Sequence, residues 1–202
     1  IMKLYYSPTS PYARKCLVLA IEKNLVNLVE FVKLSPWDNP NHLLEVNPLC
    51  KVPALELDNG SALCDSPLIL EYLDSLGSRP QLIPREGPRR WETLQRAALA
   101  DGILDASLTV VWEFNRRPGK ARHQPWIDRQ LQAINRTLDR FEVEVTTWPL
   151  DRVDAGDISV GCACAYLVFR LPELSWVTKY THLSAWFQEF GARPSMQQTG
   201  PS

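Results

Sequence analysis

The sequence predicts two domains, a small mixed α/β domain followed by an all-helical one, and three observations carry that expectation. Short apolar strands alternate with helical periodicity up to about Leu76. A stretch bearing Pro80, Pro84 and Pro88 has no periodicity and reads as a stiff linker. Beyond Pro88 the strand pattern disappears and long runs with a helical period take over. The expected division is Met2 to Arg79 for the first domain, residues 80–87 for the linker and residues 88–202 for the helical domain.

Each element follows from local chemistry. Lys3–Tyr6 reads as a strand. In the loop Ser7-Pro8-Thr9-Ser10-Pro11, Ser10 suits a helix cap and Pro11 the first helical turn. Leu17, Val18, Ala20, Ile21 and Leu25 recur at helical spacing, and Leu28–Val32 is a second strand. Strand–helix–strand opens a right-handed parallel unit, whose ligands sit beyond the strands' C-terminal ends, where Ser7 to Ser10 lie. Ser35–Asn41 is a loop before a short helix at about His42–Val46. Val52–Leu57 is a strand entered through Pro53, because proline inside a central strand removes a ladder hydrogen bond. Asn59-Gly60 turns the chain into Ala62–Cys64. Asp65-Ser66-Pro67 then caps a helix through Leu68, Ile69, Leu70, Tyr72 and Leu73, which Gly77-Ser78-Arg79-Pro80 ends. This β-α-β, β-β-α order is thioredoxin-like.

In the second domain, Arg89–Asn115 carries a stripe through Trp91, Leu94, Ala98, Asp101, Asp105, Leu108 and Trp112, and Gln124–Val145 carries one through Trp126, Leu131, Ile134, Leu138, Phe141 and Val145. Asp154 and Asp157 form a capping-box pattern before an apolar helix, Ile158–Phe169. A last helix is expected at about His182–Phe190.

The run Asn47-Pro48-Leu49-Cys50-Lys51-Val52-Pro53-Ala54-Leu55, then a hairpin, then Asp65-Ser66 with Ile69, Glu71, Tyr72 and Leu73 resembles the glutathione-binding half of the glutathione S-transferase family. Ala100–Ala106 beside Ser7–Tyr12 resembles a bacterial subgroup of it. The resemblance implies the glutathione S-transferase fold and a homodimer. It implies a cis Val52–Pro53 bond, Val52 docking the cysteinyl backbone of glutathione, and Asp65 with Ser66 holding the γ-glutamyl carboxylate. Ser10 takes the place of the hydroxyl that keeps the glutathione thiol ionised; Ser7 and Thr9 are rival donors, Tyr5 and Tyr6 weaker ones, and Ser10 as a cap alone is the plain alternative. A thiol near pKa 8.5 is mostly protonated at neutral pH, so such a donor is what the chemistry needs. Asp101 is the acidic candidate for glutathione's free amine. Pro11, Tyr12, Asp105 and Trp112 are candidates for a second-substrate pocket in a cleft between the domains. Like charges one helical turn apart repel, so Asp101 and Asp105 need a role or a basic partner such as Arg14 or Arg96. Cys50 departs from the family pattern, which most often has glycine there; it either fills space or forms a mixed disulfide.

The implied activity is conjugation of glutathione, as co-substrate, to an electrophilic, apolar small molecule. The alternatives are a non-catalytic binding protein of the same fold and a glutathione-dependent thiol-disulfide or peroxide reductase. A net charge of −1 gives no reason to expect nucleic acid or an anionic membrane, and no apolar run reaches the ~20 residues of a spanning helix. Five cysteines without CxxC or zinc spacing, and three scattered histidines, point to reduced thiols in a cytoplasm and no metal. Ile1 is expected to be a remnant ahead of Met2, the natural start.

Overall fold

The structure, a computed structural model, describes residues 1–77 and 80–201, so Ser78 and Arg79 of the expected helix end and domain boundary lie outside the described residues. The chain divides into two compact units, Ile1–Thr93 with Arg193–Ser202, and Leu94–Ala192. The last ten residues therefore belong with the first unit, whereas the sequence reading runs the helical domain to residue 202.

In the first unit, β1 (Met2–Tyr6), α1 (Pro11–Glu22), β2 (Val29–Lys33), α2 (Asn41–Val46), β3 (Ala54–Glu56), β4 (Ala62–Leu63) and α3 (Ser66–Ser75) follow the expected order. The sheet order is β2-β1-β3-β4, with β1 parallel to β2 and the other pairs antiparallel. β3 is shorter than expected and starts after Pro53, which has no N–H to offer a ladder. Ala13, Cys16, Leu17, Val18, Leu19 and Ala20 of α1 are buried, and the Cys16 thiol points at the Ser66 carbonyl of α3 at 3.9 Å. Cys16 is a core residue, as its helical spacing suggests.

The linker is tied as well as stiff. Lys23 Nζ donates to the Asp74 carbonyl (2.7 Å), to Asp74 Oδ1 (3.1 Å) and to the Pro80 carbonyl (2.8 Å), while the Asp74 carboxylate accepts from Leu82 N (2.8 Å) and Ile83 N (2.9 Å). Both charges are buried, and every bond satisfies a group that would otherwise be desolvated without compensation.

α4 (Pro88–Arg116) leads into α5 (Gln124–Glu144), α6 (Ala155–Arg170), α7 (Trp176–Lys179) and α8 (Thr181–Gly191), and a short α9 (Pro194–Gln198) returns to the first unit. The stripe expected on α4 is not its buried face. Trp91 is 68% and Trp112 42% exposed, and Asp105 is exposed; the buried positions are Thr93, Arg96, Ala100, Ile103, Leu104, Ala106, Ser107, Val110, Val111 and Glu113. On α5, Ile134, Leu138 and Phe141 are buried and Val145 beyond its end is buried too, but Trp126 is 45% exposed and Ile127 is buried beside it.

Polar residues reach the α4 interior because they have partners. Arg96 meets Asp154 through Nη2 and Asp157 through Nη1, and its guanidinium carbon lies 5.1 Å from the Trp148 ring centre. Asp154 and Asp157 form the expected capping box of α6, each side chain accepting from the other's backbone N–H at 2.9 Å. Arg96, one of the two basic partners expected for Asp101 and Asp105, is thus committed to Asp154 and Asp157. Arg14, the other, is bonded to the C-terminal segment instead.

Gly161 on α6 permits close packing with α8. A Cβ there would lie 2.5 Å from Cδ1 and Cε1 of Phe190, whose ring stacks on Trp186 with centres 5.0 Å apart. Gly161→Ala is expected to cost about 1–3 kcal/mol by overpacking. The check is a denaturation midpoint that falls while the m-value holds.

Candidate active site

Strand register gathers three separated segments. Tyr5 pairs with Ala54 and Leu55 with Leu63, both antiparallel. Carrying those alignments past the ends of the strands sets Pro53 and Val52 opposite Tyr6 and Ser7, and Asp65 beside Pro53. The β1–α1 turn, the Val52–Pro53 entry to β3 and the start of α3 therefore meet at one end of the sheet. Two helix N-termini, those of α1 and α3, start there. Their free N–H groups and positive dipole ends favour an anion.

At the first N-terminus Ser10 has extended backbone and caps α1, its Oγ accepting from Ala13 N at 3.1 Å; its own N–H donates to the Ser7 carbonyl at 3.0 Å. The bond from Ala13 uses an oxygen lone pair and leaves the hydroxyl proton to donate elsewhere. Ser7 Oγ and Thr9 Oγ1 lie 3.5 Å apart. The Tyr5 hydroxyl donates to Glu56 Oε2 at 2.6 Å, and burial, then that bond and nearby carboxylates, pushes its pKa up to about 12. A hydroxyl so engaged is a poor donor to a sulfur. Pro11 is buried at the first position of α1, and Tyr12 is half-buried.

The Val52–Pro53 bond is cis, with Val52 half-buried and Pro53 buried. Asn47, itself buried, shapes the approach: its side chain donates to the Lys51 carbonyl (2.9 Å) and accepts from Leu49 N (3.0 Å). Cys50 adopts φ +50, a left-handed conformation that glycine takes more readily. Its half-buried thiol lies 3.4 Å from the Pro36 carbonyl and 3.5 Å from Asn39 Oδ1.

At the second N-terminus Asp65 is exposed and caps α3, accepting from Ser66 N at 2.5 Å. Ser66 is fully buried, and its Oγ has no hydrogen-bond partner among the described residues. A buried hydroxyl left without a partner is uncommon and marks a place where a ligand group or water completes the pairing. The Cys64–Asp65 bond is also cis, a feature for which the sequence carries no signal.

Asp101, half-buried, and Asp105 and Trp112, exposed, lie on α4 in the second unit. Among the described residues no group of three or more His, Cys, Asp or Glu side chains is placed to hold a metal ion. None of the five cysteines is in a disulfide among the described residues.

Comparisons with known proteins point to one family. "Glutathione S-transferase, N-terminal domain" matches residues 9–76, and "Glutathione S-transferase, C-terminal domain" matches residues 124–189. The Escherichia coli K12 protein described as uncharacterized GST-like protein YibF is 35% identical over 202 residues, covering 99% of this chain and 98% of its own. A glutathione transferase family member from Pseudomonas fluorescens Pf-5, solved with bound glutathione, is 42% identical with a TM-score of 0.95, and each chain is covered over 100% of its length. A second structure from that organism, with bound S-(propanoic acid)-glutathione, is 40% identical with a TM-score of 0.90, covering 100% of this chain and 98% of its own.

Proposed function

Because the chain belongs to the glutathione S-transferase family, we propose that it ionises the thiol of glutathione and transfers the tripeptide to an electrophilic, apolar small molecule. The observation that carries this reading is the buried Ser66 hydroxyl, without a hydrogen-bond partner among the described residues, beside the Asp65 cap at a helix N-terminus that shares its end of the sheet with Ser10. The Ser66 hydroxyl and the α3 N–H groups suit the γ-glutamyl carboxylate. Asp65, itself an anion, suits the neighbouring ammonium rather than that carboxylate. The residue before the cis proline, Val52, offers its backbone to the cysteinyl unit. Ser10 donates to the sulfur.

In the reaction the glutathione S–H gives its proton to solvent. The thiolate forms a C–S bond to the electrophile, and the displaced group leaves with the electron pair of the broken bond. The S-(propanoic acid)-glutathione held by the Pseudomonas fluorescens structure is a thioether of this general kind. A homodimer and a reducing, cytoplasmic setting belong to the same proposal, the latter in keeping with five cysteines outside any disulfide among the described residues.

The test is retention on immobilised glutathione followed by conjugation assays with several electrophiles. Asp65→Asn keeps a capping oxygen but removes the charge, so glutathione affinity is expected to fall about tenfold, the equivalent of ~1.4 kcal/mol, at nearly unchanged melting temperature. Retention without turnover on any electrophile assigns the chain to binding alone. Failure of both overturns the proposal.

A further inference from the structure

The C-terminal segment is strapped along α1, the helix that carries Ser10. At the C-terminal end of α1, Glu22 accepts from Arg193 Nε (2.8 Å), from Arg193 Nη2 (2.9 Å) and from Ser195 Oγ (2.6 Å). Those bonds, Arg193's first, hold the Glu22 carboxyl below its ordinary value, so this anchor is charged at neutral pH. Two turns back along α1, Arg14 Nε donates to Thr199 Oγ1 (3.2 Å) and Arg14 Nη2 to the Met196 carbonyl (2.8 Å). Thr199 Oγ1 donates in turn to the Ser195 carbonyl at 2.8 Å. The tail therefore runs antiparallel to α1, from Glu22 toward the turn that holds Ser10.

Arg14 joins that strap to the site. Its backbone N–H donates to the Ser10 carbonyl at 3.0 Å, closing the first turn of α1, while Ala13 N in the same turn is bonded to Ser10 Oγ. The direction of the Ser10 hydroxyl is thus set by a turn whose fourth residue is clasped from outside. A planar guanidinium with two donors on two fixed acceptors restrains direction as well as distance, which a single ammonium does not. We propose that Arg14 is a positioning residue for the thiolate-stabilising hydroxyl, acting by clasping the C-terminal strap through Met196 and Thr199. This inference rests on the thiolate role assigned to Ser10 above.

The experiment compares Arg14→Ala, Arg14→Lys, Thr199→Val and Ser10→Ala in the full chain. It follows the ultraviolet absorbance of the thiolate of bound glutathione against pH, together with the melting temperature. Arg14→Ala is expected to raise the ionisation midpoint by about half a pH unit, and Thr199→Val to move it the same way by less. Arg14→Lys keeps the positive charge but loses the fork, so it is expected to follow alanine. A lysine variant matching the parent assigns the effect to charge and overturns the inference. So does an alanine midpoint that stays in place while the melting temperature drops, since that is a structural role only. If Ser10→Ala moves the midpoint and Arg14→Ala does not, the strap inference alone falls; if neither does, the thiolate reading falls with it.

Discussion

Arg96→Met is expected to lower the unfolding free energy by about 3–5 kcal/mol, because it leaves two buried carboxylates facing each other without their cation. Methionine roughly fills the space of the arginine stem against Trp148, so a simple cavity is not the source of the loss. The pH dependence separates charge from packing. Burial, then the Asp154 charge, pushes the Asp157 carboxyl up to about 6, and Arg96 opposes that rise. A carboxyl raised above its unfolded value near ~3.9 contributes stability at low pH and loses it as pH rises through the folded value. Removing Arg96 raises that value further. The deficit should therefore be smaller at about pH 5 and widen as the pH rises through about 6 toward about 8. Denaturant titrations at those pH values measure it, and a deficit that does not change with pH would sink the account.

That triad also shows where the sequence is legible and where it is not. Asp154 and Asp157 are three residues apart, so the capping box is local chemistry and can be read directly. Arg96 is 58 positions from Asp154, and nothing local says that an arginine belongs inside α4. Scanning α4 for hydrophobicity finds the tryptophans at 91 and 112 and misses the face formed by Thr93, Arg96 and Ser107. Ser107 manages burial by donating to its own helix, at the Ile103 carbonyl (2.6 Å), and Arg96 by its carboxylates. The site follows the same rule. Ser10-Pro11, Val52-Pro53 and Asp65-Ser66-Pro67 are short motifs whose physics is contained within a few residues, and strand register brings them together. The strap on α1 depends on Glu22 and Arg14 meeting residues more than 170 positions later, so the helical domain was expected to keep the tail. Cys50 lies between these cases. Its left-handed backbone explains why glycine suits that position, though no sequence rule shows where its thiol points.

Ser10→Ala is expected to raise the pH at which bound glutathione ionises by about one unit and to reduce conjugation about ten- to a hundredfold near neutral pH. A hydroxyl that donates to sulfur favours the anion, so its loss moves the titration toward the ~8.5 of a free thiol. Each unit leaves a tenfold smaller thiolate fraction below the midpoint. The rate deficit must accordingly shrink as pH rises, since above the shifted midpoint the thiol ionises without help. Alanine also removes the cap on Ala13 N, which costs about 1 kcal/mol of helix stability. Ser10→Asp separates the two effects. Aspartate caps as well as serine and suits the helix dipole, so the melting temperature should hold near the parent's. It offers no proton to the sulfur and places a like charge beside it, so thiolate formation should suffer at least as much as with alanine. Were the aspartate variant to ionise bound glutathione at the parent's pH, Ser10 would be a helix cap and the donor would have to be Ser7 or Thr9.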